Sequence, residues 1–145
     1  MKALIQRVTK AIVEIEGEVY SEINKGLLVF IGFDSNDEKF QADKMITKLL
    51  SYRIFNDNKD KMNLSVKDIS GELMIVSQFT LSADTKSGAR PSFSTVKNPL
   101  EAEALYEYFV NKISKSYKNI SIGKFGSDMK ISLTNDGPVT FMLSC

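Results

Sequence analysis

The sequence predicts an α+β fold, a single domain over residues 1–145, built on a curved, mostly antiparallel sheet with two helices. Three observations predict it. Apolar and polar residues alternate in the first third of the chain and again in its last quarter, the period of half-buried strands. Two stretches, from Asp37 and from Pro99, switch to the helical period. The strands are joined by short, hairpin-like connections, which favour antiparallel neighbours. With 145 residues and 43% hydrophobic content, one core can bury roughly 70% of the unfolded surface.

The elements follow in order. Leu4, Arg7 and Val8, then Ala11, Val13 and Ile15, frame two strands, and Glu16-Gly17 turns the chain into Glu18 to Ile23. Gly26 to Ile31 is apolar on both faces, as a central strand covered on each side should be. Phe40, Met45, Ile46, Leu49 and Leu50 form the stripe of a first helix, with Ser35 or Asp37 as N-cap and acidic residues in the first turn to suit the dipole. Asn56 to Ser70, rich in Asn, Asp and Lys, reads as a surface connection. Leu73 to Val76 is a buried strand. The second helix opens with Asn98 as N-cap, Pro99 at the first position and Glu101 three residues after the cap, a capping-box pattern. Its stripe is Leu100, Ala104, Leu105, Tyr108, Phe109 and Ile113. Ile120 and Ile122, then Met129, Ile131 and Leu133, then Val139, Phe141 and Leu143 make three strands separated by Gly-bearing turns.

Composition excludes several chemistries. The chain has no histidine, which removes Ser-His-Asp triads, Cys-His pairs and histidine-based metal sites. Its one cysteine, Cys145, excludes an intrachain disulfide and fits a reducing, cytoplasmic setting. A formal charge of +1 excludes the broad positive field of a protein that coats nucleic acid, though a local patch can still hold a few phosphates. No dinucleotide-binding or P-loop string occurs. The longest apolar run, Leu27 to Phe33, is too short to span a bilayer, so no membrane association is expected.

Four stretches remain as candidates for chemistry. Asn135-Asp136-Gly137-Pro138-Val139-Thr140 sets a Gly-Pro pair inside what otherwise reads as strand, where proline removes a ladder donor and is tolerated only at an edge, a strand start or a bulge. The pair has a task other than pairing, and one reading is that Gly137 and Pro138 aim two main-chain carbonyls at a ligand. Ser77-Gln78-Phe79-Thr80 ends the buried strand with polar groups, and alternation puts Ser77 and Phe79 on one face and Gln78 and Thr80 on the other unless the strand bends. The loop from Ser82 to Lys97 sets Lys86, Arg90 and Lys97 against Asp84, a plausible phosphate-binding segment or simply a solvated one. Lys112, Lys115, Lys118, Lys124 and Lys130 form a second cationic stretch. Gly123-Lys124-Phe125-Gly126 mimics the GXXG loop of KH domains, but its strand-like flanks favour a hairpin turn.

Taken together, SQFTL at Ser77 to Leu81, ADTKSGARPSF at Ala83 to Phe93 and NDGPVT at Asn135 to Thr140 closely resemble the D-aminoacyl-tRNA deacylase family, as does the opening IQRV with its Ala11-Ile12-Val13 strand. The resemblance covers the whole chain in order. It implies a barrel-like sheet and a homodimeric hydrolase that cleaves the ester between a D-amino acid, or glycine, and the 3′-terminal adenosine of tRNA. Such an enzyme recycles mischarged tRNA and needs no metal or cofactor. It further implies that the Gly137–Pro138 bond is cis and enters the partner's pocket as the reader of chirality, and that Arg7 braces it. Main-chain N–H groups around Phe79 and Thr80 are expected to stabilise the oxyanion, the ribose 2′-OH to help move protons, and Ser77, Gln78 and Phe79 to shape the pocket. Lys86 and Arg90 are the expected tRNA contacts, although Ser87 and Ala89 stand where the family often carries more basic or bulkier residues. Two rival readings are a dimeric RNA-binding module without turnover and an esterase of small D-amino-acid esters.

Overall fold

A computed structural model describes residues Met1 to Cys145. β1 (Lys2–Ile15) is one continuous strand where the sequence suggested two. Arg7 and Val8 are consecutive and both buried, so the alternation slips phase there and imitates a break. One edge of β1 is shared: β3 (Gly26–Gly32) pairs antiparallel with Lys2 to Val8, and β2 (Glu18–Ile23) with Ala11 to Ile15. Its other edge carries β8 (Lys130–Ser144) along nearly its whole length. β8 also replaces two expected strands by one, because the chain bulges and rejoins the ladder instead of turning back.

The antiparallel expectation holds for β1, β2, β3 and β8. β6 (Glu72–Ser77) pairs parallel with β3, and β7 (Ile120–Ile122) pairs parallel with β6. Each parallel step follows a helix, α1 (Lys39–Ser51) and then α2 (Pro99–Ser116), as parallel neighbours require a crossover. The strand order β2-β1-β3-β6-β7 curls until its ends meet. There the Ser21 hydroxyl donates to the Ile122 carbonyl (2.9 Å) and the Ser121 hydroxyl to that of Glu22 (3.1 Å), so the barrel is nearly closed, by side chains in place of a ladder.

Both faces of the sheet are covered, which explains why β3 is apolar throughout. Ile5, Leu27, Val29, Ile31, Leu73 and Ile75 pack against Met45 and Leu49 of α1 and Leu105 and Phe109 of α2. The opposite face turns Val8, Ala11, Val13, Leu28, Met74 and Val76 into the barrel interior. The stretch from Asn56 is less of a surface connection than its composition suggests. β4 (Phe55–Asn56) and β5 (Met62–Leu64) form a small hairpin, after which Ser65 and Val66 are buried.

Helix boundaries depart from the sequence reading in detail. α1 is capped by Glu38, whose N–H donates to the Gln41 side chain at 3.0 Å, and no acidic residue stands in the first turn. Asp37 is committed elsewhere: its buried carboxylate accepts from the Met1 ammonium at 2.7 Å and from the Asp34 N–H at 2.6 Å. Phe40 is exposed, with the Lys44 ammonium over its ring. In α2, Asn98 caps as expected, accepting from the Leu100 N–H at 3.1 Å. The buried set is Ala102, Leu105, Tyr106, Phe109 and Ile113, while Leu100 is 78% exposed because burial begins only at Ala102.

The Met1 ammonium also bonds Asp34 at 2.9 Å. Burial alone pushes the Asp34 carboxyl up, but the hydrogen bond and charge of that ammonium, with the charge of Lys2, outweigh it and hold the group below the usual carboxylate range. Stability from Asp34 is therefore present above about pH 4 and is lost as pH falls through its lower folded value. Asp37→Asn keeps the shape and removes a buried charge partner. Urea unfolding at pH 7 is expected to show a loss of about 2 kcal/mol.

Candidate active site

The ladder between β1 and β8 breaks at one point. Gln6 faces Thr140 and Val8 faces Asn135, so Arg7 alone lies opposite four residues, Asp136 to Val139. The surplus residues leave the sheet as a bulge, which is how proline is accommodated within a strand. The Gly137–Pro138 peptide bond is cis, and both residues are exposed. Gly137 has φ +130°, and a Cβ there would stand 2.6 Å from Val139 Cγ2 and 3.1 Å from Arg7 Nη2, so no other residue fits.

Arg7 grips the base of this bulge. Its side chain is 10% exposed; Nε donates to the Asp136 carbonyl (3.1 Å) and lies 3.2 Å from the Asp136 carboxylate. Nη1 donates to the Ile54 carbonyl (3.0 Å) and to Asn56 Oδ1 (3.2 Å). Asn56 escaped the sequence reading, since nothing local marks a contact that depends on how the β4–β5 hairpin folds back on β1.

The second candidate lies at the end of β6. The strand stops at Ser77 and a 3-10 turn runs from Phe79 to Ser82, the bend that lets neighbouring residues face one cavity. The Gln78 N–H still bonds the Ile31 carbonyl at 2.7 Å, while the N–H groups of Phe79 and Thr80, at the start of the 3-10 turn, have no acceptor within that turn. Gln78 Nε2 donates to Thr80 Oγ1 at 2.6 Å, so the Thr80 hydroxyl oxygen is held by a carboxamide and is hydrogen-bonded to no basic side chain. Ser77, Gln78 and Phe79 line a cavity of about 480 Å³ whose other wall is Phe125, Gly126 and Met129.

That second wall is the loop linking β7 to β8. The two strands do not pair with each other, so it is not the expected hairpin turn. The buried Tyr106 hydroxyl reaches the carbonyls of both Ile75 (2.9 Å) and Gly123 (3.2 Å), fastening the loop to β6. Burial, with Tyr20 nearby, pushes this phenol well up, so it remains a proton donor. The sequence marks Phe125 and Met129 only as turn and strand residues; the sole local signal is the Gly123–Gly126 pair.

The cations are distributed unevenly. Lys86 and Arg90 are exposed and form no ion pair. Lys97, grouped with them from sequence, is instead largely buried, donating to the Ser35 carbonyl at 3.0 Å and pairing with Glu101 at 3.6 Å. Lys112 is engaged by Asp43 and Lys130 by Asp128, which leaves the second cationic stretch partly neutralised.

Within one chain the two candidates stand apart. Ser77 is level with Ile31, Ile31 with Ala3, and Ala3 with Leu143. That row alone spans three strand spacings, roughly 14 Å, and Pro138 lies further along β8 beyond Thr140. The structure thus gathers Ser77, Gln78, Phe79 and Thr80 at one place and Arg7, Gly137 and Pro138 at another.

Comparison with known proteins shows what these features belong to. Residues 4–144 match the family model described as D-Tyr-tRNA(Tyr) deacylase. D-aminoacyl-tRNA deacylases of Pseudoalteromonas translucida and Haemophilus influenzae are each 54% identical over 144 residues, covering 99% of this chain and of each relative. Among solved structures, one described as c-Myc DNA Unwinding Element Binding Protein superposes with a TM-score of 0.96 at 38% identity, covering 100% of this chain and 99% of that one. A probable eukaryotic D-amino acid tRNA deacylase shares the fold, with a TM-score of 0.87, 17% identity, and 99% and 98% of the two chains covered. From Leu4 to Ser144, this chain belongs to the D-Tyr-tRNA(Tyr) deacylase family.

Proposed function

We propose that this chain hydrolyses the ester between a D-amino acid, or glycine, and the 3′-terminal adenosine of tRNA. Family membership over nearly the whole chain carries the reading. The geometry supports a particular way of doing it. Phe79, which lines the cavity, and Thr80 next to it present the first two main-chain N–H groups of a 3-10 turn, which have no acceptor within that turn, a disposition suited to an ester carbonyl that becomes an oxyanion. With no histidine in the chain and the Thr80 hydroxyl bonded to Gln78, proton movement falls to the substrate's own 2′-OH and to water.

Chirality is read by Gly137 and Pro138. Their carbonyls, held side by side, accept from the substrate α-amino group and leave no space for an L side chain; glycine, which has none, passes. Rejection by clash requires a rigid reader. Since these residues lie across the sheet from Ser77 and project outward, the reader of each site is supplied by a second copy of the chain. The outer edge of β8 has no strand partner and exposes Leu133 and Met142, a surface suited to such pairing. Lys86 and Arg90, free of ion pairs, are available to tRNA phosphates.

With a chelator present, the protein should release D-Tyr from D-Tyr-tRNA and leave L-Tyr-tRNA intact; an RNA-binding module releases neither. Thr80→Ala should keep its turnover within about tenfold of the parent, because the donors are main-chain groups. Loss of nearly all turnover with tRNA binding preserved would give the chemistry to the hydroxyl instead. Mixing two chains inactivated separately, one at Gly137 and one at Gln78, should restore roughly a quarter of parental activity if subunits reassort freely and each site draws on both. No recovery after verified exchange would rule out the crossed arrangement.

A further inference from the structure

The neck of the Gly137–Pro138 bulge is closed by side chains that neither the cavity nor Arg7 accounts for. Asn135 Oδ1 accepts from the Val139 N–H at 2.9 Å, and Asn135 Nδ2 donates to Thr140 Oγ1 at 2.9 Å. Thr140 Oγ1 also receives Gln6 Nε2 at 3.3 Å from the adjacent strand. One carboxamide therefore bonds both residues that follow Pro138, and Thr140 passes the connection to β1.

The ladder shows why such a device is needed. Asn135 and Thr140 are the last paired residues on either side of the bulge, facing Val8 and Gln6, and Val139 has no partner on β1. A bulge leaves main-chain groups without their ladder bonds, and each must find another partner. The Asn135 side chain stands in for the missing strand at Val139. On the other flank Arg7 holds Asp136. The two residues that carry the reading carbonyls are thus clamped on both sides, by Arg7 before them and by Asn135 after them.

We infer that Asn135 and Thr140 are positioning residues for stereochemical selection: by bonding Val139 and each other across the neck, they fix the direction in which the Gly137 and Pro138 carbonyls point. The inference rests on the proposed deacylase reading and adds to it the residues that set selectivity. Loosening the neck lets the carbonyls swing, which weakens capture of the α-amino group and opens space for an L side chain. The rate on D substrates then falls while the rate on L substrates rises. A purely structural role would instead lower both rates together or lower only thermal stability.

The test compares Asn135→Ala, Thr140→Val and Thr140→Ser with the parent. Single-turnover rates are measured on D-Tyr-tRNA and L-Tyr-tRNA, and Val139 amide exchange is followed by NMR. Thr140→Ser keeps the hydroxyl and should behave as the parent. The other two should lower the D-to-L rate ratio by about tenfold or more, the scale of one lost orienting interaction, and Val139 exchange should accelerate in Asn135→Ala. Should Asn135→Ala fail to fold, the Thr140 pair decides by the same ratio. An unchanged ratio in the folded variants, or equal losses on both substrates, overturns the inference. A parent that releases no D-Tyr defeats the deacylase reading itself, a result visible before any variant is made.

Discussion

The guanidinium of Arg7 is the contact on which the Gly137–Pro138 projection depends. It sits where β1 and β8 fall out of step, and it binds two stretches distant in sequence: the Ile54 carbonyl with the Asn56 side chain, and both the carbonyl and carboxylate of Asp136. A cation this buried is tolerated only with partners, and breaking such a set costs about 3–5 kcal/mol. The planar fork reaches separated acceptors at once, which a lysine ammonium on its flexible stem does not reproduce. Arg7 thereby converts a ladder defect into a fixed projection and ties the β4–β5 hairpin to it.

Much of the chemistry in this arrangement is assigned to the main chain. Peptide N–H groups at the end of β6 and peptide carbonyls on the β8 bulge carry the proposed roles, while side chains such as Tyr106 and Arg7 hold them in place. Peptide groups do not titrate near neutrality, and their direction is set by the fold. The absence of histidine is then no handicap for an ester that is already labile. In the proposed mechanism, geometry takes over what acid–base groups supply elsewhere.

The α+β class, the central position of β3, the apolar length of β6 and the Asn98-Pro99 start of α2 were legible because each rests on local pattern. The parallel pairing of β6 and β7 was not, since it follows from helices crossing the sheet. Nor was the continuity of β1, where buried Arg7 interrupts the alternation. Asp37 looked like a helix cap because its residue type suits one, but its carboxylate lies beside the Met1 ammonium, a contact made only when the chain has folded. At the site, the unusual Gly137-Pro138 pair and the polar end at Ser77 drew attention by conflicting with their surroundings. Phe125, Met129 and Asn56 raised no such conflict, and only tertiary structure brings them into place.

The seam between β2 and β7 has a consequence of its own. Elsewhere the barrel wall is held by peptide-to-peptide ladders, but here two serine hydroxyls, Ser21 and Ser121, span the gap. Parting this line breaks two side-chain hydrogen bonds, one part-buried and one exposed, and leaves every ladder whole, so the wall opens here at less cost than along a ladder. Neither β2 nor β7 carries Arg7 or the Gly137–Pro138 projection. Thermal fluctuation is thus channelled into a zip fastener on strands other than β1 and β8, which keep Arg7 and the Gly137–Pro138 projection stiff.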